Sequence, residues 1–283
     1  MLYDGQAGTR RIARMGAMNT GPKSSPAPKA APRIRPVPAV ARAVAILRLL
    51  GRTRQPMNVK SISDELQLVP STCLHILRAL AAERLVSFDP ASKRYKLGTG
   101  ILALARGVMD TDSFAQTVQP MLDEISRKWK VTAIGVEVLD LHHIIVTALA
   151  SSQLPFRLHV DVGSRFPALI SASGRLVAAF GGYSREALRA KFDTLRWQKP
   201  LRFEDWLAEV ELARHLGHSA DDGNYIGGIS IVAVPVLDAC QHITHTIVAA
   251  SIIDQLSPQD ADALVHELKA HAGRLSHQLF SLE

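Results

Sequence analysis

The sequence predicts an α+β chain built as an N-terminal winged helix-turn-helix followed by an α/β ligand-binding domain, and three observations carry that prediction. Residues 58–97 place two short amphipathic helices ahead of a basic hairpin, the positive charge is confined to the first third of the chain, and from residue 113 onward helical and strand patterns alternate.

Taken in order, residues 1–38 set Pro22, Pro26, Pro28, Pro32, Pro36 and Pro38 among Ala, Gly, Ser and basic residues. Such a composition cannot nucleate a packed core, so a disordered basic arm is expected. The winged helix-turn-helix spans 39–98. Val40, Val44, Leu47 and Leu50 form a helical stripe suited to pack under the two helices that follow. Within 58–66, Val59, Ile62 and Leu66 share one face behind Asn58, a side chain suited to cap the first turn. Gln67 then occupies a turn where glycine would be easier, so either it is strained or the turn takes another shape.

In the second helix Pro70 fits the first turn, where no N–H is needed, and Cys73, Ile76, Leu77 and Leu80 follow at i, i+3, i+4 and i+7. The opposite face offers Ser71, Thr72, Leu74, His75 and Arg78, which reach phosphates or base edges if this helix enters a major groove. Leu85, Val86 and Phe88 lead to a turn at 89–92, and the chain returns through 93–97 as a hairpin. Tyr95 and Leu97 then point inward, while Lys93, Arg94 and Lys96 form a cationic wing suited to a phosphate backbone.

The charge distribution agrees. Residues 1–38 carry seven Lys/Arg against one acid and residues 39–100 carry ten against four, whereas the remainder carries sixteen against twenty-one. A field of one sign at one end favours a polyanion there, and double-stranded DNA is the expected partner. The two cysteines, Cys73 and Cys240, lie far apart without a Cys-x-x-Cys pair, which fits a reducing cytoplasm. The apolar runs at 229–237 and 247–253 are shorter than the roughly 18 residues a membrane helix needs, so no membrane partner is expected.

Residues 99–112 read as a linker helix with an almost continuous apolar surface, which packs either within the chain or, as the reading preferred here, against a second subunit. From 113 to 283 the expected order is an amphipathic helix through Val118, Met121, Leu122, Ile125 and Trp129, then strands at 131–139, 144–150 and 156–160. Helices at 174–180, 184–192 and 203–216 precede strands at 229–237 and 246–253. The last helix has a start signal in Ser257, Pro258 and Asp260.

No catalytic or metal motif assembles. Ser171 and Ser173 lack the Gly-x-Ser-x-Gly elbow, and adjacent Asp221 and Asp222 point to opposite faces of a strand. The pairs His142 and His143, His215 and His218, and His242 and His245 have no further ligands at zinc spacing. Neither an enzyme nor a cofactor is expected.

The runs LVPSTCLHIL at 68–77 with RYKLG at 94–98, VGSRFP at 162–167 with SASG at 171–174, and LGHSADD at 216–222 with Val234 and Pro235 together resemble the IclR family of bacterial transcription regulators, over roughly residues 39–283. The resemblance implies a GAF-like effector-binding domain joined by the linker helix to the DNA-binding domain. It also implies a homodimer or homotetramer on a palindromic operator, acting more often as a repressor than as an activator. It places an effector pocket at Ala172, Ser173, Asp221 and Ile231, with Ser251 as a polar position on the following strand.

Two departures from the family pattern follow. Ile231 stands where a Cys is common, so the pocket is expected to be apolar and to suit an aromatic or larger hydrophobic organic acid. Leu74 and His75 stand where His and Arg are common, so Leu74 either meets a thymine methyl or packs inside. The competing reading of the chain is a metabolite sensor that acts mainly through protein contacts.

Overall fold

A computed structural model describes residues 37–109, 113–152, 154 and 160–280. The chain divides into two compact units, one ending at Leu97 and the other beginning at Gly98. Residues 1–36 of the basic arm expected at 1–38, the end of the linker at 110–112 and residues 156–159 of the strand expected at 156–160 lie outside the described residues, and Pro38 already belongs to the first helix.

The first unit contains α1 (Pro38–Thr53), α2 (Val59–Leu66), α3 (Pro70–Ala82), β1 (Val86–Asp89) and β2 (Arg94–Leu97). Its core gathers Ile46, Leu49 and Leu50 of α1, Ile62 of α2, Cys73, Leu77 and Leu80 of α3, and Val86 and Tyr95 of the hairpin. The stripe expected on α1 is therefore corrected: Val40 is 60% exposed and Val44 38%. The buried seam runs instead through Ala43, Ile46, Leu47 and Leu50, because the first turns of α1 have no element of this unit to cover them.

Asn58 caps α2, its side chain accepting from the Ser61 N–H at 2.8 Å. Gln67 does take the left-handed conformation, at φ 51°, while the Leu68 N–H reaches the Ser63 carbonyl at 2.9 Å. A glycine-type helix end is thus closed by a residue with a Cβ, at a cost of about 1 kcal/mol.

The second unit contains α4 (Gly100–Met109), α5 (Ser113–Trp129), β3 (Thr132–Val138), β4 (His143–Ala150), β5 (Arg165–Pro167), α6 (Ser171–Phe180), α7 (Arg185–Phe192), α8 (Phe203–Leu216), β6 (Ser219–Asp222), β7 (Ile229–Leu237), β8 (Ile243–Ile252) and α9 (Pro258–Phe280). The strands form one antiparallel sheet in the order β5-β4-β3-β8-β7-β6.

Alternation along the strands produces two cores. Ile134, Val136, Ile231 and Val248 pack with α6, α7 and α8 on one face, whereas Ala133, Ile247 and Ala249 pack with α5 and α9 on the other. The start signal of α9 is realised: Ser257 Oγ accepts the Asp260 N–H at 3.1 Å and donates to the Asp260 carboxylate at 2.7 Å. Two strands escape a periodicity reading because they are too short: β5 has three residues and β6 has four, three of them polar. No helix of the described residues is long and apolar enough to cross a membrane.

Candidate functional site

In the first unit the inward residues of α3 fix what remains outside. With Cys73, Leu77 and Leu80 buried, Ser71, His75 and Arg78 are exposed at i, i+4 and i+7, and Thr72 is half-buried beside them. Leu74 is also half-buried. It lines a groove of about 470 Å³ with Val59, Arg78, Phe88, Pro90 and Lys93, between α3 and the hairpin. Leu74 is thus the apolar floor of a groove with cationic edges rather than a residue packed inside.

The hairpin is braced from both ends. Asp89 accepts from the Ala91 N–H and the Ser92 hydroxyl, and these bonds hold its carboxyl below the usual carboxylate range. At the other end Tyr95 exchanges two backbone bonds with Met57, at 2.7 and 2.9 Å. Lys93, in the left-handed turn position, and Lys96 extend outward. Arg94 is exposed but donates to the Pro56 carbonyl at 3.3 Å, so it also ties the wing to the helices.

Phe88, one strand period from buried Val86, is 43% exposed and packs on Tyr95 with ring centroids 4.7 Å apart. Alternation alone would have buried it. The tip of a two-stranded hairpin has no helix behind it, so the inward face becomes a groove wall.

In the second unit a cavity of about 150 Å³ opens between the sheet and the start of α6. Its walls are mainly apolar, including Ile134, Val136, Phe166, Ile226, Ile231 and Val248, and its polar lining comes from Ser171, Ser173 and Tyr225. Backbone geometry places the serines. Ser171 is left-handed at φ 56°, and a Cβ on Gly174 would lie 2.0 Å from the Leu169 carbonyl carbon, so only glycine lets the helix start this close to the segment before it.

The first α6 amide to find a helical carbonyl is that of Gly174, bonded to Ile170 at 2.8 Å. The N–H groups of Ser171, Ala172 and Ser173 precede it, and no side chain caps them. Ser171 Oγ is buried without a hydrogen-bond partner, whereas Ser173 Oγ lies 3.2 Å from Thr246 Oγ1. The helix start therefore offers unsatisfied donors and one orphaned hydroxyl, an arrangement that suits a carbonyl or carboxylate oxygen. Burial pushes the Tyr225 phenol up, keeping it a neutral donor. Ser171 has no imidazole or carboxylate beside its hydroxyl to activate it as a nucleophile.

The residues expected in the pocket separate into three groups. Ser173 and Ile231 line the cavity. Ala172 is buried and supplies a first-turn amide while its methyl packs in the core. Asp221 stands behind the cavity. One of its oxygens accepts from Arg175 at 3.1 Å, and the other accepts the Asn224 and Tyr225 amides at 3.1 and 3.2 Å, so it positions the loop that carries Tyr225.

Ser251 pairs with Ser230, out of phase with Val248, and faces away from the cavity. The hydroxyl that β8 places against the cavity's serine is that of Thr246, two residues before Val248 and so in phase with it, a position that the strand expected at 246–253 includes but does not single out. Ser171, Tyr225 and Ile226 were missed as well. Among the described residues no group of three or more His, Cys, Asp or Glu could hold a metal ion.

Comparison with known proteins agrees with this layout. The family model of the bacterial transcriptional regulator IclR C-terminal domain matches residues 107–277, and that of the IclR helix-turn-helix domain matches residues 39–90. The chain is 27% identical over 253 residues to the glycerol operon regulatory protein of Streptomyces griseus, covering 87% of this chain and 97% of that one. It is 28% identical over 236 residues to the probable transcriptional regulator SauR of Cupriavidus necator, covering 77% and 89%.

Among solved structures, an IclR transcriptional regulator from Alicyclobacillus acidocaldarius matches with a TM-score of 0.76 at 27% identity, over 86% of this chain and 98% of that one. The Thermotoga maritima IclR matches in fold, with a TM-score of 0.68 at 16% identity, over 86% and 99%. With the two domain models matched in order, one on the unit that carries the cationic wing and one on the unit that holds the cavity, the chain belongs to the IclR family of bacterial transcriptional regulators.

Proposed function

We propose that this protein is a repressor whose operator occupancy is set by a small organic acid with an apolar, aromatic-sized body. IclR regulators bind DNA, respond to small-molecule effectors and are transcription factors rather than enzymes. The observation that carries the finer reading is the apolar cavity whose polar groups cluster at the uncapped start of α6. Apolar walls supply affinity through ring burial, and the free amides with Ser171 Oγ fix one oxygen-bearing end. The antiparallel sheet between two helical layers supports a GAF-like sensor. Relatives at 21–22% identity that are named transcriptional repressors favour repression.

A gel-shift on DNA upstream of the protein's own and neighbouring genes, at two salt concentrations and with candidate aromatic acids, tests the reading. Saturable, competitor-resistant binding that one acid releases is the expected result. Binding lost to nonspecific competitor would favour the sensor that acts through protein contacts.

The reading includes a homodimer or homotetramer. In α4, Leu102 is 68% and Leu104 62% exposed, apolar area that a second subunit would cover. Leu102→Glu is expected to shift the sedimentation coefficient toward the monomer and weaken induction while each unit's melting is retained. Unchanged sedimentation together with unchanged induction would remove α4 from the interface.

A further inference from the structure

Next to the apolar cavity lies a second cleft of about 420 Å³ that shares Ile170 and Tyr225 with it as a common wall. It is more polar than the cavity, although Leu141, Pro167, Ala168, Leu169 and Leu195 also line it. The side chains of His142, His143, Lys191, Arg196 and Thr194 line it, and no acid does. Of the carboxylates nearest in sequence, Asp193, at the end of α7 beside Thr194, is exposed and outside the lining, and Asp140 is turned into its own loop, where it accepts the His142 and His143 amides at 2.6 and 2.9 Å. Lys191 Nζ lies 2.5 Å from His142 Nδ1 and forms no ion pair with a carboxylate among the described residues. Arg196 is exposed and forms no ion pair among the described residues.

We infer that the effector carries a second anionic group, held outside the apolar cavity by Lys191 and Arg196, so that the preferred ligand class is an elongated dicarboxylic acid with an apolar middle. This rests on the acid-sensor reading above and extends it. The ligand's first oxygen-bearing end meets Ser171 and the α6 amides, its apolar body fills the cavity, and its far carboxylate passes the Ile170–Tyr225 wall into the cationic cleft. Two cations without a lining acid favour an anion there, and the Tyr225 phenol and Thr194 hydroxyl add donors beside it.

The test is calorimetric titration of the full-length protein with phenylacetate and with 4-carboxyphenylacetate, which differ by one carboxylate on the far side of the ring. The dicarboxylate is expected to bind about tenfold more tightly, a modest gain because the cleft is partly open to solvent. In Lys191→Met, Arg196→Met protein that advantage should fall to about twofold or less, with phenylacetate affinity kept, because the variant removes the charge pairing alone. Equal or weaker binding of the dicarboxylate to the unmodified protein would overturn the inference and leave the acid-sensor reading intact. An advantage that survives in the double variant would also overturn it, since the gain would then arise elsewhere. Failure of both acids to bind would overturn the acid-sensor reading together with its extension.

Discussion

Lys93→Ala, Lys96→Ala protein is expected to bind operator and unrelated DNA alike about 10- to 100-fold more weakly near physiological salt. Its slope of log K against log salt should also be shallower by about 1.8, the value for two lost phosphate contacts. Both lysines extend from a hairpin that Asp89 and Met57 brace without them, so their removal takes away charge and leaves the wing standing. Arg94 is unsuitable for this experiment because it also donates to the Pro56 carbonyl, and its loss would mix charge with wing position. Arg78→Ala supplies the contrast. On the exposed face of α3, it should cost about 1–3 kcal/mol on the operator and much less on random DNA if it reads a base edge. Fluorescence anisotropy across a salt series measures both. An unchanged slope in the lysine variant would remove the wing from the phosphate contacts.

The legible and illegible parts of this chain divide along a physical line. Long periodic segments were readable because burial repeats within them: α3 announces its inner face through Cys73, Leu77 and Leu80, and β7 has the limits its apolar run suggests. Features set by what lies across the molecule were not. Val40 and Val44 fit a helical stripe, but which turns of α1 are covered depends on where α2 and α3 end. Thr246 and Ser251 both sit on β8, and only the register with β7 and the phase of Val248 decide which hydroxyl meets the cavity. Tyr225 reaches the cavity from a loop whose course is set by a carboxylate accepting its amide, a contact without sequence periodicity. Ser171 resists prediction for a different reason, since its left-handed backbone and unpartnered hydroxyl are locally unfavourable. Local patterns cannot anticipate a feature that local energetics disfavour.

Removing Arg175 should be among the most damaging single substitutions in the second unit, through charge rather than packing. Its guanidinium is 2% exposed and bonds to Glu209 at 2.6 Å, the Ser171 carbonyl at 2.9 Å and Asp221 at 3.1 Å. Arg175→Met retains most of the apolar volume yet strands the Asp221 carboxylate, which is 1% exposed and keeps only its two backbone donors. Leaving such a charge buried and unpaired costs about 3–5 kcal/mol, which for a unit of this size lowers the melting temperature by roughly 10 °C. Glu209 loses the same partner but stands 40% exposed, so water resolvates it and little of the cost falls there. If the stranded charge is the cause, Asp221→Asn added to Arg175→Met should restore at least half of the lost stability, because the amide still accepts the Asn224 and Tyr225 amides without a net charge. The acid response should return only in part, since Arg175 also holds the Ser171 carbonyl at the start of α6. Thermal melts of the two single variants and the double variant close the cycle. A double variant no more stable than Arg175→Met alone would assign the loss to the guanidinium's own hydrogen bonds.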